Sequence, residues 1–299
     1  MIARRNVIQF AAFFAALPSG AHAQAQRLPV AATFPILGDF AREIGGERIA
    51  LTLLVQAGVD THGFQPAPDD SKKLAAAKLI IANGLGFEGF LDRLIKASGT
   101  KAAVVLATKG ADIMAAAGAG HGHGGSDPHA WQSVGNAKVY VANIRDALAA
   151  ADPAGKDVFN ANAAAYLGKL DALDAEIRAA IAKIPAGRRS IVTDHNAFRY
   201  FERDYGLKFF ALRGLSTATE ASARDVAKTI RDVRASKATA IFVEEMTNPK
   251  TLERIAAESG VKLAGTLYSD TLTPEPGPAP SYIAMMRANL AALVKGLAP

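Results

Sequence analysis

Three histidines are the residues of this chain best suited to chemistry. His62 lies in Asp60-Thr-His-Gly-Phe-Gln-Pro66, His129 in Asp127-Pro-His-Ala-Trp131, and His195 in Thr193-Asp-His-Asn-Ala-Phe198. Each stands next to Pro, Gly or Asp in an expected loop. Imidazoles gathered from distant loops are what a borderline-soft divalent metal requires. Two more, His121 and His123, fall in a glycine-rich tract over 118–126, which reads as a flexible surface loop and a candidate auxiliary metal-collecting site. The chain contains no cysteine, so disulfides, thiolate ligands and lipid anchoring through Cys are excluded. Any metal here is held by nitrogen and oxygen.

The elements that must position these histidines alternate between short apolar runs and amphipathic stretches, the pattern of an α/β protein with parallel sheets. Strands are expected over 28–34, 49–55, 79–83 and 103–107, and again over 190–193, 208–212, 240–244 and 262–267. Helices are expected over 36–44, 87–97, 223–235 and 282–297. Between the two groups of four strands runs a helical pattern over 153–184. Its apolar face is Phe159, Ala163, Tyr166, Leu170, Leu173, Ile177, Ala180 and Ile184. Asp152 and Pro153 read as its N-cap and first residue, and Pro185 with Gly187 ends it. At 1.5 Å per residue it spans on the order of 45 Å, a rigid strut between two lobes.

Ligands of open α/β sheets gather at the carboxyl ends of strands. His62 and His195 follow such ends, the first in one lobe and the second in the other. A fourth ligand is expected from the same edge of the second lobe, and Asp270, just beyond the last strand, is the best candidate. Glu244 and Glu245 end a strand and read as supporting or ion-pair residues. Asp127 and Asp194 neighbour the candidate ligands and are candidates to orient imidazoles.

The N-terminus reads as a secretory signal peptide over 1–23: basic Arg4-Arg5, an apolar run and Ala21-His22-Ala23. Sec export is favoured over the twin-arginine route. Loss of Arg4 and Arg5 with the leader takes the formal net charge from +6 to +4. Without dense Lys/Arg runs, that excess does not point to nucleic acid. The expected organisation is thus a leader over 1–23, an N-terminal lobe over 24–152, a connecting helix over 153–185 and a C-terminal lobe over 186–299.

Taken in order, several motifs resemble the periplasmic substrate-binding proteins of zinc/manganese ABC transporters. They are Thr33-Phe-Pro-Ile36, Asn83-Gly-Leu-Gly-Phe-Glu88, Asp127-Pro-His-Ala-Trp131, His195-Asn-Ala-Phe198 with Tyr200-Phe201 and Tyr205-Gly206, Ile241-Phe-Val-Glu-Glu245 and the stretch over 267–272. The resemblance runs from Leu28 nearly to the C-terminus. It implies two lobes joined by the central helix, with metal between them on His62, His129, His195 and Asp270. It also implies a periplasmic receptor that hands its ion to a membrane permease driven by a cytoplasmic ATPase, and a monomer is the simplest expectation for a receptor that docks one-to-one. One departure is at His62, where the family commonly has Asp-Pro-His followed by an aromatic and Glu-Pro.

Three imidazoles and one carboxylate favour Zn²⁺ as the transported ion over Mn²⁺ or Fe²⁺. The rival reading from another class is a secreted zinc hydrolase, which keeps an open coordination position for water. Four candidate protein ligands leave none, and neither H-E-x-x-H nor G-x-S-x-G is present. The absence of G-x-x-x-x-G-K-[ST] separates the chain from the ATPase itself. A receptor for an organic solute would call for an aromatic-lined cleft, yet Trp131 is the single tryptophan. An adhesin or metallochaperone on the same fold is not separated from an uptake receptor by sequence.

Overall fold

The computed structural model describes residues 27–116 and 125–298. The leader over 1–23 and the candidate loop residues His121 and His123 lie outside them. The first sheet comprises β1 (Leu28–Ala32), β2 (Ile49–Leu53), β3 (Leu79–Ala82) and β4 (Ala103–Leu106). The second comprises β5 (Ser190–Thr193), β6 (Lys208–Ala211), β7 (Ala240–Glu244) and β8 (Leu263–Leu267). The orders are β2-β1-β3-β4 and β6-β5-β7-β8, with every pairing parallel. One topology is thus used twice, although the sequence carries no visible internal repeat. In both sheets the chain reverses direction beside the first strand, which puts the switch points between β1 and β3 and between β5 and β7. The crevice at the carboxyl ends there is where such sheets receive ligands.

Apolar runs such as Leu-Ile-Ile-Ala in β3 are buried at every position, as a sheet covered on both faces requires. The covering helices are α1 (Pro35–Gly45), α2 (Pro68–Ala76), α3 (Leu91–Ser98), α4 (Val134–Ala151), α5 (Lys156–Ala182), α6 (Arg199–Tyr205), α7 (Ala223–Ser236), α8 (Lys250–Ser259) and α9 (Tyr282–Leu297). One continuous apolar core runs through α1, α4, α5 and α9 and joins the facing sides of both sheets. The outer face of the second sheet has a separate core, where Val192 and Ile241 pack with Val226, Ile230, Leu252 and Ile255. Among the described residues no helix is long and apolar enough to cross a membrane.

The central helix α5 has 27 residues, or about 40 Å at 1.5 Å per residue. Phe159, Ala163, Tyr166, Leu170, Leu173 and Ile177 form its buried face, which closes with Ile181 rather than Ala180. Its start differs from the sequence expectation. Residues Pro153–Gly155 form a 3-10 turn, and Asp152 does not cap α5. The Asp152 carboxylate instead accepts two bonds from Arg48, at 2.8 Å from Nε and 3.1 Å from Nη2. A forked guanidinium on a carboxylate is stronger than a neutral cap bond. Gly155 is tightly enclosed there, since a Cβ would lie 2.3 Å from Arg48 Nε.

Candidate metal centre

Two ligand candidates come from the first half of the chain. The loop after β2 turns at Asp60, whose Oδ1 accepts the His62 main-chain N–H at 2.9 Å. The imidazole of His62 rests edge-on against Phe87, with centroids 4.8 Å apart. The turn that precedes α4 carries His129. Asp127 Oδ1 lies 3.1 Å from the His129 main-chain N and 2.8 Å from its Nδ1. A carboxylate only accepts, so Nδ1 donates to Asp127 and Nε2 is the ring nitrogen turned toward the centre. Asp127 is itself held from the other lobe. Arg199 Nη1 lies 3.3 Å from its Oδ2, and the Tyr200 hydroxyl donates to its main-chain oxygen at 2.7 Å.

The other two come from the second half. His195 directly follows β5, at the switch point, and donates its main-chain N–H to Glu244 Oε1 at the end of β7, 2.9 Å away. The Ser269 hydroxyl donates to Glu244 Oε2 at 2.6 Å. Asp270 follows in the loop after β8. The main-chain oxygen of Ser269 accepts from Trp131 Nε1 at 2.8 Å and from Gln132 Nε2 at 2.7 Å, tying the Asp270 loop to the His129 turn.

The four side chains converge. Nε2 of His62 is 3.3 Å from Nε2 of His129 and 3.3 Å from Asp270 Oδ2. Asp270 Oδ2 is 3.0 Å from His195 Nε2, and its Oδ1 is 3.7 Å from His129 Nε2. All four ligand atoms lie within 4.8 Å of one another. A tetrahedron with bonds of about 2.0–2.1 Å has edges of about 3.4 Å, so a zinc-sized ion fits this spacing. His129, His195 and Asp270 are fully buried, while 6% of the His62 side chain is exposed.

The electrostatics favour a cation. The contacts of His195 with Glu244 Oε2 at 2.7 Å and with Asp270 at 3.0 Å are ion-pair distances without in-line hydrogen-bond geometry. Both ring nitrogens of His195 and both oxygens of Asp270 therefore lie buried with no hydrogen-bond partner. Buried polar atoms left in this state are costly, and an ion among them satisfies the inward-facing ones. Burial alone opposes the charged imidazolium, yet Glu244 and Asp270 outweigh it and hold His195 protonated well above the ordinary imidazole range. Burial likewise pushes Asp270 up, but His195 and His129 pull its carboxyl well below the usual range. The proton on His195 therefore stands where a metal would bond.

Asp194 does not serve His195. Its carboxylate turns to Arg213, and burial raises its pKa against the pull of that guanidinium. Glu245 is exposed and takes no part. Arg199, Tyr200 and Ser269 support the centre without any sequence signal of that role; the group that Arg199 and Tyr200 hold, Asp127, comes from the other half of the chain. Asp127→Asn removes the charge behind His129 and is expected to weaken metal binding about 10–100-fold, as read by competition against a chromophoric chelator.

Comparison with known proteins gives a family model described as zinc-uptake complex component A, periplasmic, which matches residues 30–296. The iron-binding protein YfeA of Yersinia pestis is 32% identical over 272 residues, covering 91% of this chain and 87% of that protein. The manganese-binding lipoprotein MntA of Halalkalibacterium halodurans is 33% identical over 279 residues, covering 93% and 91%. Among solved structures, the periplasmic zinc-binding protein TroA from Treponema pallidum superposes with a TM-score of 0.85 at 29% identity, covering 91% of this chain and 100% of that one. The Mn-bound periplasmic metal-binding protein from Candidatus Liberibacter asiaticus gives a TM-score of 0.81 at 30% identity with the same coverage.

Proposed function

Since the chain belongs to the metal-binding substrate-binding proteins of ABC transporters, the family of zinc-uptake complex component A, we propose that it captures a divalent transition-metal ion on His62, His129, His195 and Asp270 and delivers it to a membrane permease. The observation that carries this reading is the convergence of four donors, three of them fully buried, with both Asp270 oxygens lacking any other partner. Such a shell is closed, so it suits capture and handover and leaves no open position for a hydrolytic water. The protein acts outside the cytoplasm, and residues 1–23 serve as its export signal.

Zinc is the ion this donor set holds most tightly among zinc, iron and manganese, since nitrogen-rich sites follow the Irving–Williams order. Manganese or iron(II) is the second reading. It is favoured by the placement of both Asp270 oxygens toward the imidazoles, which can supply a more oxygen-rich shell.

Binding displaces the His195 Nε2 proton, so affinity rises with pH until the raised pKa of the metal-free form is passed. One displaced proton corresponds to about tenfold tighter binding per pH unit across neutrality. The test is a competition titration of metal-stripped protein with Zn²⁺ and Mn²⁺ at pH 6 and pH 8, scored by metal analysis after desalting. The expected result is one zinc per chain, undisplaced by excess manganese and held more tightly at pH 8. Preferential retention of manganese would transfer the cargo to that ion. Failure to retain either would overturn the proposal.

A further inference from the structure

His62 differs from the other two imidazoles in three respects. It alone touches solvent, and among the described residues no carboxylate pairs with its other ring nitrogen, whereas His129 has Asp127 and His195 has Glu244. It also sits on a loop whose hold on the opposite lobe is concentrated in a few bonds. Gly58 N–H reaches the Asp270 loop, at 2.9 Å from both Leu272 O and Thr271 Oγ1. The second tie is a side-chain bond: Thr217 Oγ1 donates to Asp60 Oδ2 at 2.6 Å, from the segment between β6 and α7. Asp60 thus has two tasks, since its other oxygen fixes the His62 main chain. Behind this bond lies a cavity of about 160 Å³, walled by Asp60 and Thr217 together with Asp194, Arg213 and Thr247.

We infer that the Thr217–Asp60 hydrogen bond is an interlobe latch that holds His62 on the metal and sets the rate at which the ion is released. The inference rests on the metal-receptor reading and identifies Thr217 as a positioning residue that acts through Asp60. A metal leaves a closed shell by losing one ligand first. The candidate for that step is the imidazole with the least support behind it and solvent beside it. A hydroxyl on a carboxylate at 2.6 Å is in the strong, charge-assisted range. Opening the His62 loop must break it, while Asp127 and Glu244 keep the other imidazoles in place.

The test uses the mature full-length protein loaded with one Zn²⁺ and mixed with excess chelator, with metal loss followed in time. Thr217→Val, which keeps the shape and removes the hydroxyl, is expected to release zinc roughly tenfold or more faster, the scale of one hydrogen bond to a charged group. Thr217→Ser retains the donor and is expected to release at the wild-type rate. Thr217→Ala serves as a second hydroxyl-free variant that adds no apolar bulk. In the zinc-loaded valine variant, amide exchange over residues 56–66 is expected to rise. Wild-type release from both hydroxyl-free variants, with exchange unchanged, would overturn the latch and leave the receptor reading intact. Fast release from Thr217→Ser would also overturn it, since packing rather than the hydroxyl would then be responsible. Failure of the wild-type chain to retain zinc would overturn the receptor reading and the latch together.

Discussion

Replacing His195 by alanine is expected to abolish stoichiometric metal retention and to destabilise the metal-free chain as well. Loss of an outer partner of a metal ligand costs about 10–100-fold in affinity, so loss of the ligand itself is expected to exceed about a hundredfold. The second effect follows from the surroundings. Glu244 and Asp270 are both buried against this one imidazole, and its removal leaves two carboxylates facing a void. Removing one partner from a buried ion pair costs about 3–5 kcal/mol. The sign of the pH dependence is fixed by the upward shift of His195. Its stabilising contribution is complete below the ordinary imidazole value of 6.5 and disappears as pH rises through the raised one. Metal-free wild-type protein should therefore lose stability from neutral into alkaline pH, and the alanine variant should lack that component. Adding Glu244→Gln to the alanine variant is expected to restore part of the stability and none of the metal binding. Metal content after desalting and thermal melts of the variants check both effects. Retention of one zinc by the single variant would remove His195 from the ligand set.

The second large effect is the response of the whole fold to its ion. A ligand bound only by the folded state stabilises it by about 4.1 kcal/mol at a thousandfold excess over its dissociation constant. For chains of roughly 150–250 residues each kcal/mol moves the melting temperature by about 2–4 °C, so saturation with zinc should raise it by at least several degrees. At the proposed site the ion would join loops from both lobes and neutralise buried charge, which would place the stabilisation in the cleft. A chelator should reverse the shift. The shift should be larger at pH 8 than at pH 6, because less proton competes for His195 at the higher pH. A melt indifferent to zinc at both pH values would show that the ion does not engage the folded core.

The sheets were readable because parallel strands covered on both faces leave short, nearly uninterrupted apolar runs, such as Ile-Val between Ser190 and Thr193. All eight expected strands are present, most of them a residue or two shorter than the apolar runs. Helix α4 left no comparable trace. Its sequence, with nine alanines and valines among its buried and exposed faces alike, lacks the contrast by which an amphipathic helix is recognised. The start of α5 departs from the sequence expectation because Asp152-Pro153 is a sound local cap signal, and the competing guanidinium of Arg48 is 104 positions away. The site divides in the same way. His62, His129, His195 and Asp270 stand at loop positions that sequence can mark. Arg199 and Tyr200 act on Asp127, more than 70 positions distant, and only the fold brings them together.

Two of the four donors belong to the segment before α5 and two to the segment after it, and α5 packs against α1, α4, α6 and α9 across that division. In the terms of coordination chemistry, the proposed site would make each lobe a two-toothed chelator, with the helix as the backbone that fixes their bite. Separately, His62 with His129 or His195 with Asp270 would be weak ligands. Held at a fixed separation, each pair meets the ion at the high effective concentration created by the other. Tightness would therefore be governed by one geometric quantity, the distance between the pairs. A small widening of the cleft turns one strong site into two weak ones, without any change in the donors themselves.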